Sequence, residues 1–257
     1  MARRIFNEFR ISNRCLIFIL VIIIGFHFCI SYCNKTIEGL TNNDIVNNVL
    51  LGVGANYQLS TYTGTTWTQL HKPPGLAKPF LLAVALGPDG NLYAVANDFR
   101  LYVAKGGGWE KPKQPTSLQF LSIANENNQL VGVGVDYKLY VYDPPTGTVN
   151  PFPGDTGPVI SVLRFKNTDF GVKNDHKLYK WINSKWILYD GNAPTKDIGL
   201  INIAEYNGKM YGVGTDQKMY IYEGTPGEWT LAAGNKGIKL LSIYSITHDD
   251  YLKFGFS

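Results

Sequence analysis

The chain has 257 residues, 45% of them hydrophobic and 17% charged, with a formal net charge of +4 at pH 7. That charge is unevenly placed: residues 1–33 hold four Arg and one Glu, which leaves 20 basic and 19 acidic side chains in residues 34–257. The basicity belongs to the amino terminus, and no polybasic run or interleaving of basic and aromatic residues follows it, which excludes a nucleic-acid-binding surface.

Arg3, Arg4, Arg10 and Arg14 precede residues 15–33, a stretch of 19 residues without a formal charge. As a helix it would reach roughly 28 Å, close to the thickness of a bilayer core. Two readings fit. A signal anchor would keep one N-terminal hydrophobic helix in the membrane, with the arginines holding the N-terminus in the cytoplasm. A cleaved signal peptide would end after Ser31 or Cys33 and release a secreted protein. The unbroken run 16–24 and the long basic region favour the anchor, and both readings place the remainder outside the cytosol. All three cysteines (Cys15, Cys29, Cys33) lie in this segment, so the rest of the chain is expected to fold without a disulfide. The expected organisation is residues 1–33 as anchor or signal peptide, 34–47 as linker, and 48–257 as one folded domain. Within the linker, Asn34-Lys35-Thr36 is the sole N-glycosylation sequon.

Beyond the linker a motif recurs five times. It begins at Gly52, Ala94, Gly132, Gly171 and Gly212, at intervals of 42, 38, 39 and 41 residues. Its core, as in Gly132-Val133-Gly134-Val135-Asp136-Tyr137-Lys138-Leu139-Tyr140, combines a small residue, an Asn or Asp four positions on, and a Leu or Met followed by Tyr in four copies. A period in this range marks a unit that buries its apolar faces against copies of itself. Each unit carries four short β-branched and aromatic runs bounded by Gly, Asn, Asp and Pro, which read as strands. Four antiparallel strands per 40 residues is the pattern of a propeller blade. The Asn or Asp (Asn56, Asp98, Asp136, Asp175, Asp216) falls between the second and third strands, where its carbonyl oxygen can form an Asx-turn. The small residue at the motif start sits on an inner strand, where a bulky side chain would collide. Trp67, Trp109, Trp186 and Trp229 open the fourth strands, and the third repeat has Val149 there.

First-strand candidates number five: residues 80–85, 119–124, 159–163, 200–204 and 240–244. The chain starts in mid-repeat at 49–54 and ends in mid-repeat at 251–256. A ring whose closing blade takes strands from both ends has no open edge. The expected fold is therefore all-β, a five-bladed β-propeller closed by its N- and C-terminal strands.

Candidate chemistry is sparse. His71, His176 and His248 stand in unrelated contexts without carboxylates or Cys at ligand spacing, so no metal site is expected. No phosphate loop, nucleophile elbow or zincin motif is present, and no helix follows the Gly-Val-Gly copies to make them a dinucleotide fingerprint. The motif Asp residues are related by rotation and so are spread apart, whereas a hydrolase needs two unlike carboxylates at one bond. No catalytic residue and no cofactor is assigned. The four tryptophans are candidates for stacking on sugars, against a role in blade packing. The loops 71–78, 111–118, 152–158, 190–198 and 232–238 are candidates for variable contacts.

Residues 80–102, with Pro88-Asp89-Gly90-Asn91-Leu92-Tyr93-Ala94-Val95 at their centre, resemble a repeat of the tachylectin-type five-bladed propeller lectins. The Gly-Val-x-x-Asp-x-x-Leu-Tyr core and later Trp are similar to those of the tectonin-type propellers. The resemblance covers about residues 48–257 and implies non-catalytic, multivalent carbohydrate binding, with N-acetylated hexosamines as the typical ligands. The lectins' Gly-Gly-Trp before the first strand has no counterpart here, and their Asp-Asn-Trp is reduced to the Trp alone. The expected partners are thus glycans or a glycosylated surface protein, plus the membrane through residues 15–33. A protein-binding scaffold is the alternative, and a propeller glycosidase with carboxylates at the central channel stands third.

Overall fold

A computed structural model describes residues 48–70, 80–106, 108–154 and 157–254. The expected N-terminal hydrophobic helix, the linker 34–47 and the whole of the loop 71–78 lie outside them. Within the described residues no helix is long and apolar enough to cross a membrane.

The described residues form five antiparallel sheets, one per repeat. The second blade comprises β4 (Leu81–Leu86), β5 (Leu92–Ala96), β6 (Leu101–Lys105) and β7 (Gly108–Glu110). The third holds β8 (Phe120–Glu126), β9 (Gln129–Gly134), β10 (Leu139–Asp143) and β11 (Thr148–Pro151), and the fourth β12 (Val159–Phe165), β13 (Thr168–Lys173), β14 (Leu178–Ile182) and β15 (Lys185–Asp190). The fifth contains β17 (Ile198–Tyr206), β18 (Lys209–Gly214), β19 (Met219–Tyr222) and β20 (Trp229–Leu231), with a two-residue strand β16 (Pro194–Thr195) added beside β17. The first blade is made from both ends of the domain: β21 (Leu240–Thr247) pairs with β1 (Asn48–Gly54), followed by β2 (Leu59–Tyr62) and β3 (Trp67–Gln69). The innermost strands β4, β8, β12, β17 and β21 each touch the next, closing the ring. Closure therefore rests on a strand pair whose members come from opposite ends of the domain.

Residues 251–256 were expected to continue the repeat, and here the structure differs. His248–Lys253 form a short helix, α1, capped by the Thr247 hydroxyl, which accepts from the Asp250 N–H at 3.1 Å. The place beside β21 that a second strand would take is already filled by β1, so the chain turns away.

The recurrent Asp does two jobs. One carboxylate oxygen accepts the backbone N–H two residues on, at 3.1–3.2 Å for Asp98, Asp136, Asp175 and Asp216, as Asn56 does with its amide oxygen. The other oxygen accepts the hydroxyl of the Tyr four residues on: Tyr102, Tyr140, Tyr179 and Tyr220, at 2.7–2.9 Å. The residue after the Asp or Asn (Tyr57, Phe99, Tyr137, His176, Gln217) then adopts a left-handed φ of 59–65°. Its carbonyl accepts the N–H of Leu81, Phe120, Val159, Leu200 or Leu240, at or near the start of the next innermost strand. Thus one turn per repeat staples each blade to its neighbour, and all five junctions are made.

The glycine at the motif start has a different reason from the expected collision between blades. A Cβ on Gly171 would come within 2.9 Å of the Trp186 ring and one on Gly212 within 3.1 Å of Trp229, both in the same blade; Gly52 meets Trp67 likewise. The fourth-strand indole lies across the sheet and rests on bare backbone. The third blade, without a Trp, fills the space over Gly132 with Phe120 from its own first strand, where the other blades have Leu81, Val159, Leu200 and Leu240.

Candidate functional site

Directly across from each fourth-strand position, on the third strand, stands Tyr62, Ala104, Tyr142, Trp181 or Tyr222. Three of these pairs are aromatic, with centroids 5.0 Å apart for Tyr62–Trp67, 4.9 Å for Trp181–Trp186 and 5.2 Å for Tyr222–Trp229. The four sequence-predicted tryptophans are half-buried and pack in four separate clusters, so the structure does not bring them together. Trp229 is further fixed by the buried Asp190 of the preceding blade, which accepts its Nε1–H at 3.1 Å and the Gly227 N–H at 2.6 Å.

What differs among the blades is how the gap beside each pair is filled. Between blades four and five it holds Phe165, Phe170, Tyr189 and Tyr222; between five and one, Tyr206, Tyr211 and Tyr62. In the third blade the residues that align with Phe165/Phe170 and Tyr206/Tyr211 are Glu126 and Val131. A small aliphatic and a carboxylate cannot fill that space. A groove with a cavity of about 60 Å³ is left there, lined by Trp181, Trp186, Phe152, Glu126, Asn127 and Gln129 among others. Two buried polar atoms of the groove have no hydrogen-bond partner: Trp186 Nε1 and Glu126 Oε2. Buried polar groups are normally paired, so two unpaired polar atoms in one groove are unusual.

Glu126 is 8% exposed. Its Oε1 accepts the Arg164 N–H of the next blade at 3.0 Å. Burial, together with the nearby charge of Asp169, pushes its carboxyl up to about 8; the Arg164 amide and charge oppose this without prevailing. The Arg164 guanidinium is itself engaged by Asp169 at 2.9 Å.

Glu126 also borders a second, larger space of about 280 Å³. It is lined by the C-terminal ends of all five innermost strands (Leu86, Glu126, Arg164, Glu205 and Tyr244 among them) and therefore opens on the ring axis. Asp250 of α1 reaches the same space.

Of the candidate loops, 111–118 is held by Gln114, whose amide bonds both the N–H and the carbonyl of Leu101, and by Arg100 Nη1 on the Leu118 carbonyl at 2.7 Å. Asn235 holds 232–238 to Met219 in the same way. His176 lies at a blade junction with Nδ1 3.0 Å from the Leu200 carbonyl, and His248 stacks on Tyr251. Among the described residues no three His, Cys, Asp or Glu side chains are grouped to hold a metal ion.

Sequence reasoning passed over Trp181 and Glu126. The signal was available: aligned repeat on repeat, each departs from what its sister blades carry.

No protein-family model matches the chain, and neither does any curated protein. Solved structures do. One, described as "The de novo evolutionary emergence of a symmetrical protein is shaped by folding constraints", is 17% identical, with a TM-score of 0.51 over 78% of this chain and 98% of that one. The extracellular domain of a putative one component system from B. thetaiotaomicron is 16% identical, with a TM-score of 0.44 over 73% of this chain and 28% of its own. The computationally designed Ika4 protein is 13% identical, with a TM-score of 0.39 over 59% of this chain and 98% of its own. At such identities the likeness of the first shows the fold alone: the chain is a five-bladed β-propeller.

Proposed function

We propose that the protein is a non-catalytic binding module of the extracytoplasmic side, and that it recognises carbohydrate in the groove between its third and fourth blades. The observation that carries this reading is the pairing, in one groove, of a Trp181–Trp186 wall with two unpartnered buried polar atoms, Trp186 Nε1 and Glu126 Oε2. A pyranose presents an apolar C–H face and a rim of hydroxyls. An aromatic wall covers the first, and the carboxyl group of Glu126 and the side-chain amides of Asn127 and Gln129 can accept from or donate to the second. The resemblance of the repeats to tachylectin-type and tectonin-type propellers supports the same ligand class. The remaining tryptophans, Trp67, Trp109 and Trp229, serve their own blades in this reading, and Trp186 serves both blade and ligand. Catalysis is not proposed.

Glycan-array binding of the purified full chain tests the proposal. Binding is expected to fall at least tenfold in Trp181→Ala and to survive Trp67→Phe. No glycan bound, together with capture of a defined protein partner through the same groove, would replace the lectin reading with that of an adhesion scaffold.

A further inference from the structure

The outermost strands of the five blades are not alike. β3, β7 and β20 are three residues long, and β11 has four and ends in Pro151. β15 runs for six, Lys185-Trp186-Ile187-Leu188-Tyr189-Asp190, with a charge at each end and none between. Ile187 and Leu188 at its centre are 50% and 51% exposed. Open sheet edges are normally blunted by short strands, by proline or by a charge in mid-strand, and β15 has none of these. It is hydrogen-bonded to β14 alone, and among the described residues 185–189 make no backbone hydrogen bond to any other element. Its one irregularity, a bulge at Tyr189, lies near its end: Tyr179 pairs with Leu188 and Leu178 with Asp190, so Tyr189 is passed over.

This edge is complementary to itself. Two copies of one strand that pair antiparallel are related by a two-fold axis normal to the sheet, so one residue faces its own copy. With the axis at Ile187, the two exposed isoleucines meet and each Trp186 faces the partner's Leu188. Because the bulge removes Tyr189 from the ladder, the next pair outward brings Lys185 opposite the partner's Asp190. The charges match there. Asp190 is buried and accepts from three neutral donors, the N–H groups of Asn192 and Gly227 and the Trp229 Nε1–H. None of the ion pairs among the described residues includes Asp190 or Lys185. Facing side chains on an antiparallel pair stand roughly 5 Å apart at Cβ, within reach of a lysine.

We propose that β15 is the interface of a two-fold dimer, in which it pairs antiparallel with β15 of a second copy about Ile187. The fourth blades then join into one continuous sheet of eight strands, an isologous contact that closes on itself. A two-fold axis normal to that sheet keeps each face on its own side. Trp186 lines the groove between blades three and four, and strand alternation puts Leu188 on the same face. Both grooves therefore open to one side of the dimer, and the partner's Leu188 extends the indole wall of each. A chain with one groove gains in this way the second, correctly facing site that avidity on a dense surface needs. The pairing itself does not rest on the sugar reading and is measured without a glycan.

Sedimentation velocity of the full chain in detergent micelles, over roughly 1–100 μM, tests it. A reversible dimer is expected. Ile187→Lys sets two like charges face to face on the axis at an exposed position, and should raise the dimer dissociation constant at least tenfold with the melting profile unchanged. Leu231→Lys on the three-residue β20, where the leucine is 56% exposed, should leave it within twofold. The register is read by disulfide formation in chains with Cys15, Cys29 and Cys33 replaced by Ser. Ile187→Cys should cross-link to its own copy, whereas Lys185→Cys, about 13 Å from its copy at four strand positions, should not. A monomer at every concentration overturns the proposal. So does a dimer that Ile187→Lys leaves intact, as association through residues 15–33 would give, or cross-linking of equal yield at 185 and 187.

Discussion

Glu126 concentrates the tension between folding and use at the scale of one side chain. Its carboxyl is raised from the ordinary range to about 8 by burial and the charge of Asp169. A group raised in the folded state favours the fold fully below its unfolded value, near 4.5, and that contribution is lost as pH rises to about 8. A tenfold change in proton affinity corresponds to about 1.4 kcal/mol. Stability is thus expected to decline between pH 4.5 and about 8. In Glu126→Gln the decline should be largely abolished, with the variant more stable than wild type by on the order of 3 kcal/mol at about pH 8. Denaturant melts at about pH 5, 6.5 and 8 measure this, and parallel profiles for the two proteins would show that the carboxylate is solvated in a way its burial does not suggest. The motif Asp residues show the opposite economy. Each takes a backbone N–H and a Tyr hydroxyl at the exposed end of a hairpin, so turn, third strand and blade junction are fixed by one side chain.

Between strands, space over the motif glycine is shared by two suppliers. In blades one, four and five a fourth-strand Trp reaches across to Gly52, Gly171 or Gly212; in blade three Phe120 fills the place over Gly132 and Val149 stands where the Trp would be. The two solutions exclude each other. Val149→Trp is expected to destabilise by roughly 1–3 kcal/mol through overpacking against Phe120. Adding Phe120→Leu should recover most of that loss, a coupling that a double-mutant cycle of thermal or denaturant melts would read. Additive effects would mean the Trp at 149 points elsewhere. This exchange also shows where the sequence was legible. The glycine, the Trp and the Asp repeat with the period, so their strands and turns could be placed from spacing alone. Trp181, Glu126 and Val131 do not repeat, and their meaning depends on what the sister residues Tyr222, Phe165 and Phe170 fill. The end of the chain was misread for a related reason: residues after 247 carry apolar spacing, but only three-dimensional closure shows that β1 has already taken the neighbouring strand position.

For the molecule as a whole, two asymmetries break the repetition. One is the charge division along the chain, with four arginines ahead of an uncharged stretch and a near-neutral remainder. We propose from it an N-in orientation with the propeller outside the cytosol, and the expected outcome in sealed microsomes is full protection of the propeller from added protease until detergent is present. Digestion without detergent would refute both the anchor and the signal-peptide readings. The other asymmetry is within the ring. Five equivalent repeats suggested five equivalent sites, whose avidity on a dense surface could exceed single-site affinity by roughly two to four decades. Side-chain packing argues for fewer. The gaps beside Tyr222 and Tyr62 are packed with aromatic rings, and Tyr93 and Tyr142 meet edge to face between blades two and three, centroids 5.9 Å apart. Between blades three and four the loss of two large residues opens a groove against an indole pair. A glycan identified on the array is therefore expected to bind with one site per chain by native mass spectrometry, and Trp181→Ala should remove that site entirely. Four or five sites of equal affinity would return recognition to the repeated features of the blade and take it away from Glu126 and Trp181.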